Sequence, residues 1–105
     1  MVIVETPIFT RQITQLLSVE SYRQLQNALV DDPAWGKTIP GTGGLRKLRW
    51  GLTGRGKRGG VRIIYHWLRD RQWLLMLLAY PKVAQDDLTP EQKRILRRLV
   101  EEELQ

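Results

Sequence analysis

Trp73–Tyr80, WLLMLLAY, is the longest uninterrupted apolar run in the chain. It is far too short to cross a bilayer, which takes about 20 residues. It also leaves no polar position to turn toward water. A strand made of it must lie centrally in a sheet and be covered on both faces. The preceding segment, Val61–Arg69, is β-branched and aromatic, and only Asp70-Arg71 separates it from a strand over Gln72–Tyr80. The pair reads as consecutive strands of one sheet.

The rest of the chain supplies the other layers. Val2–Glu5 is a short β-branched strand. Pro7 can open a helix, and Ile8, Phe9, Ile13, Leu16 and Leu17 follow at helical spacing. Ser18 can cap a second helix, with Glu20 near its positive end and Tyr22, Leu25, Ala28 and Leu29 as its apolar stripe. Asp31-Asp32-Pro33 ends that helix, and a Gly/Pro loop runs to Gly44. Gly44–Trp50 reads as a strand, and Gly51–Gly60 as a glycine-rich hairpin loop. Thr89-Pro90-Glu91-Gln92 has the pattern of a capping box, so a last helix follows, with Ile95, Leu96, Leu99 and Val100 facing the core. The order β-α-α-β-β-β-α predicts one α+β domain over residues 1–105 with a four-stranded, largely antiparallel sheet.

Composition narrows the chemistry. With 42% hydrophobic and 27% charged residues, the chain can bury a core unaided. It has no cysteine, which excludes a disulfide scaffold and a thiolate metal site. Met1–Thr10 shows no basic region ahead of an apolar one, so a secretory signal is not expected, and a cytoplasmic location is. A single His leaves no His/Cys metal cluster, and no Ser-His-acid set stands out. Asp31-Asp32 and Asp86-Asp87 read as turn and cap residues. The stretch from Gly51 to Arg58 approaches the phosphate-loop pattern. It lacks the Ser/Thr after Lys57 and leads into a strand, so nucleotide hydrolysis is rejected.

What remains is cationic. Arg46–Arg71 holds nine Lys or Arg residues against one acid, a local charge of +8 in a chain of +6, so the remainder is slightly acidic. Such focusing suits a polyphosphate partner. Lys47 and Arg49 share one face of their strand, while Leu48 and Trp50 share the other. Arg62, Ile64, His66 and Leu68 share one face of the next; Val61, Ile63, Tyr65 and Trp67 share the opposite one. Arg62 with Lys47 and Arg49 would clamp a phosphodiester and stabilise charge growing in an in-line displacement. A lysine among like charges is more easily deprotonated and can serve as general base toward a ribose 2′-hydroxyl. That chemistry favours RNA over DNA and needs no metal. A DNA-binding reading finds no helix-turn-helix pattern, because Ile8–Val30 has an acidic end and no basic second helix.

The segment GTGGLRKLRW, the loop GRGKRGG, the strand VRIIYHWL and the YPK before the final helix resemble the RelE/HigB toxins of bacterial type II toxin–antitoxin pairs, most closely the HigB-like branch. The likeness runs from ETPIF to the last helix. It implies a microbial-RNase-like α+β fold. It also implies a metal-independent endoribonuclease, without cofactor, that cuts mRNA on the ribosome and so inhibits translation. The partners implied are the ribosome, mRNA and a cognate antitoxin, in this branch a HigA-like helix-turn-helix protein; no membrane is involved. Carried over by motif, the catalytic residues fall on Lys47, Arg49, Arg62 and Lys82. Arg46, Arg55, Lys57 and Arg58 fall to RNA or ribosome binding, with Tyr65, His66 and Tyr80 as accessory groups. The chain departs from RelE after Lys82, where Val83, Ala84 and Gln85 stand in place of a second basic residue and an aromatic one. A non-catalytic RNA- or ribosome-binding module of the same fold is therefore the alternative reading.

Overall fold

A computed structural model of the chain describes residues 1–51, 60–82 and 87–103. Its elements are β1 (Val2–Glu5), α1 (Pro7–Leu16), α2 (Val19–Asp31), β2 (Lys37–Thr38), β3 (Arg46–Trp50), β4 (Val61–Leu68), β5 (Trp73–Pro81) and α3 (Pro90–Glu103). The three helices start where the sequence places them, and α1 adds a cap, Thr6, that it did not single out. The Thr6 hydroxyl accepts from Phe9 N with Pro7 in the first turn of α1, and Ser18 accepts from Ser21 N at α2. Thr89 and Gln92 bond reciprocally at 3.0 and 3.1 Å, closing the capping box of α3.

The sheet has five strands rather than four, in the order β1-β5-β4-β3-β2. The extra one, Lys37–Thr38, pairs antiparallel with β3 inside the predicted Gly/Pro loop. Two residues are too few to show a strand periodicity. β1 runs parallel to β5, and the other pairs are antiparallel. β5 therefore lies inside the sheet, as its all-apolar sequence requires.

Two apolar clusters sandwich the sheet. On one face Phe9, Ile13, Leu17, Leu25 and Leu29 of the first two helices and the turn after α1 meet Leu48, Val61, Ile63, Tyr65, Leu74, Met76 and Ala79. On the other, Leu96 and Val100 of α3, with Leu88, meet Leu45, Ile64, Leu75 and Leu77. The alternation along β5 slips once: Leu77 and Leu78 both pack on the α3 face. The β4–β5 register skips a residue there, a β-bulge opposite Ile64/Tyr65. Side chains satisfy the disturbed ladder. The Thr6 hydroxyl donates to Leu77 O, and Gln12 accepts from Ala79 N at 2.9 Å.

Two side chains expected in the core are not there. Ile8 is exposed, and Ile95 is 60% exposed on the outer side of α3. The apolar stripe of each helix is one residue narrower than its spacing suggested. Among the described residues no helix is long and apolar enough to cross a membrane.

Candidate anion-binding cleft

The cationic side chains converge at one end of the α3 face. Arg49 lies directly opposite Arg62 across the β3–β4 ladder, and Arg62 lies opposite Tyr80 across the β4–β5 ladder. One row across three strands thus reads Arg49, Arg62, Tyr80. Lys47 stands two residues along β3 from Arg49, on the same face. Lys82 follows Tyr80 by two, and its backbone N–H donates to Gly60 O at 3.1 Å, which extends the ladder past the end of β5. Lys47, Arg49 and Arg62 line a single cleft together with Trp35, Lys37 and Leu48.

Like charges directly opposite on neighbouring strands oppose folding. The Arg49–Arg62 pair is a cost to the fold that a bound anion would relieve. Arg62 is half-buried, and its Nε is buried with no hydrogen-bond partner among the described residues. Arg49 folds over Gly60, where an added Cβ would sit 2.7 Å from its Nε. Gly60→Ala should therefore push the Arg49 guanidinium out of the row. Affinity of the cleft for a phosphate group is expected to fall by about tenfold, the share of one misplaced charge-assisted bond, with folding intact. Comparing RNA affinity and thermal midpoint of the variant with wild type checks this.

The cluster also holds an anion that the sequence reading assigned only to a turn. Asp87, just before α3, accepts a 2.6 Å ion-pair hydrogen bond from Lys47 Nζ. The Lys47 bond, with the charges of Lys47, Arg62 and Lys93, holds its carboxyl below the usual range. Lys47 thus faces a carboxylate, not the purely cationic surroundings that the general-base argument assumed. Nothing local marks Asp87: the contact joins residues 40 apart in sequence.

The structure separates the other candidates. Tyr80 joins the row. Tyr65 is fully buried on the helical face opposite the cleft. Its hydroxyl accepts from Gly36 N at 2.8 Å and donates to Pro33 O at 2.9 Å. Burial raises its pKa. Arg46, expected at the RNA, sends Nη1 to Ala34 O and Gly36 O at 3.2 and 2.8 Å. Both residues clamp the loop that carries Trp35, on either side of it. Trp35 is 41% exposed, stands edge-on to Trp50 and borders the cleft. It is an aromatic beside the cleft that the accessory set of Tyr65, His66 and Tyr80 did not include. Its loop position, without periodicity, hid it.

His66 lies four residues from Arg62 along β4, roughly 13 Å at strand rise. It is half-buried, with Nδ1 3.2 Å from Gly44 O, and burial lowers its pKa. It therefore does not reach the cleft. Gly41, Gly43 and Gly44 adopt positive φ, and the Thr42 hydroxyl bonds Ile39 O and Leu45 N. The GTGG string thus shapes the entry to β3. Arg55, Lys57 and Arg58 lie outside the described residues.

No family model matches the chain. Solved structures do. A double arginine-to-alanine variant of the E. coli toxin RelE in the free state matches with a TM-score of 0.54 and 15% identity, over 81% of this chain and 86% of that one. The same RelE variant in complex with an antitoxin RelBc peptide matches with a TM-score of 0.53 and 12% identity, over 85% of this chain and 95% of the other. The chain therefore has a RelE-like α+β fold.

Proposed function

We propose that this protein is the toxin of a type II toxin–antitoxin system, of the HigB-like branch, and that it cleaves mRNA on the ribosome without a metal. The observation that carries the reading is the row of Arg49 and Arg62 paired across two strands, with Lys47 beside it in the same cleft. Two planar guanidinium forks suit the non-bridging oxygens of one phosphodiester and the charge that grows on them as a 2′-oxygen attacks. Trp35 offers an exposed aromatic face to a neighbouring base. To Lys82, two residues beyond Tyr80, we assign the exchange of a proton with the reacting ribose. The RelE-like fold supports the toxin assignment, and the neighbour bound to an antitoxin peptide supports an antitoxin as partner. A helix-turn-helix antitoxin of the HigA type is the expected one, acting in the cytoplasm.

Induction of the protein in growing cells is expected to arrest growth, with mRNA cut at codon boundaries. In a purified system, programmed ribosomes should support cleavage, and naked RNA should be cut little, because the ribosome supplies much of the positioning. Cleavage should persist when a chelator removes magnesium beyond what the ribosome itself holds. Growth arrest without any cut mRNA would favour the non-catalytic binding module, which the sequence VAQ after Lys82 keeps in view. Metal-dependent cutting of naked RNA would overturn the mechanism.

A further inference from the structure

We propose that the carboxylate of Asp87 occupies the phosphate subsite of the cleft, and that RNA binds by exchanging one of its phosphates for this resident anion. The inference rests on the RNA-binding reading above and goes beyond it by naming the subsite and its occupant.

The geometry is specific. Asp87 Oδ1 lies 2.6 Å from Lys47 Nζ, the distance of a charge-assisted hydrogen bond. Lys47 belongs to the cleft that Arg49 and Arg62 line. The charges of Arg62 and, from α3, Lys93 act on the same carboxylate. An anion held by Lys47, with the charges of Arg62 and Lys93 acting on it from further off, stands where a phosphate oxygen would meet Lys47. Asp87 is also open to exchange from solvent. Its side chain is 64% exposed, against 29% for Lys47, and it sits on the connection into α3 rather than inside an element.

The exchange has a thermodynamic signature. A phosphate neutralised by a protein cation normally releases a cation condensed on the RNA, and affinity then falls with salt by about 0.7 log units per log unit of salt for each single-strand contact. In the wild type the exchange expels the Asp87 carboxylate, which takes up a cation from solution and offsets the one the RNA releases, so the Lys47 contact adds little to that slope. Removing the carboxylate frees Lys47 to contribute in full.

Asp87→Asn tests this. Binding of an uncleavable 2′-O-methyl RNA oligonucleotide, followed by anisotropy across a salt series, should steepen by about 0.7 in log–log slope. Affinity at about 0.1 M salt should rise roughly fivefold, which is that slope carried over one decade. The thermal midpoint should hardly move, because an exposed ion pair contributes little to stability. In a Lys47→Ala background the same substitution should yield less than half of this gain, since the residue it unmasks is absent. Weaker binding by Asp87→Asn would make Asp87 a support for the site and overturn the exchange. An equal gain without Lys47 would reduce Asp87 to a distant like charge and overturn it too. Equal affinity and slope for wild type and variant would dismiss the exchange and leave the RNA reading standing. Failure of both proteins to bind RNA at any salt would dismiss the RNA reading itself.

Discussion

Arg62→Ala is expected to lower ribosome-programmed mRNA cleavage by about 10²–10³-fold, the usual loss when one preorganised charge partner of a developing oxyanion is removed. Growth arrest on induction should disappear with it. The protein should remain folded. Arg62 faces Arg49 across the ladder, and removing one of two opposed like charges relieves repulsion. It also removes an Nε that is buried without a hydrogen-bond partner among the described residues. The thermal midpoint should therefore hold or rise, and the protein should still bind its antitoxin. Arg62→Lys keeps the charge but loses the planar fork, so it should recover only part of the activity. An Arg62→Ala protein that cuts as fast as wild type would remove Arg62 from the site.

Tyr65→Ala should cost stability rather than chemistry. The ring is fully buried against the helical layer, and truncating a buried aromatic costs about 3–5 kcal/mol. Tyr65→Phe isolates the hydroxyl. It leaves Gly36 N and Pro33 O without their partner, at a cost of roughly 1–3 kcal/mol. Urea unfolding gives both values. Tyr65→Phe should also loosen the loop that presents Trp35, so RNA affinity should fall while the rate of cleavage in saturated complexes stays near wild type. A large loss of rate with unchanged stability would return Tyr65 to the catalytic set.

Both predictions concern β4, and they separate what alternation shows from what it does not. Arg62 and Tyr65 fall on opposite faces by simple parity, and that was legible in VRIIYHWL. Which face would be packed by two helices and which would keep an open end was not. Both faces carry apolar residues, and nothing local says where α3 stops covering the sheet. The strand register shows the same division. A period-2 pattern located β3 and β4 and an unbroken apolar run located β5, but the bulge at Leu77/Leu78 leaves no mark in such a run.

The sequence by itself determined the elements other than β2, the caps of α2 and α3 and the concentration of positive charge. It also put Lys47 and Arg49 on one side of their strand. These are properties of neighbours within a few residues, set by backbone periodicity, side-chain capping and the count of charges. The tertiary structure alone decided who meets whom over long distances in the chain. It set Arg49 opposite Arg62 and Tyr80 beside them, left His66 at the far end of its strand, and turned Arg46 and Tyr65 into clamps for the Trp35 loop. It also brought Asp87 across 40 residues to Lys47. Those pairings depend on sheet register and on the docking of α3. Both are fixed only when the two apolar faces close together, because burial is a property of the assembled layers and not of any one segment.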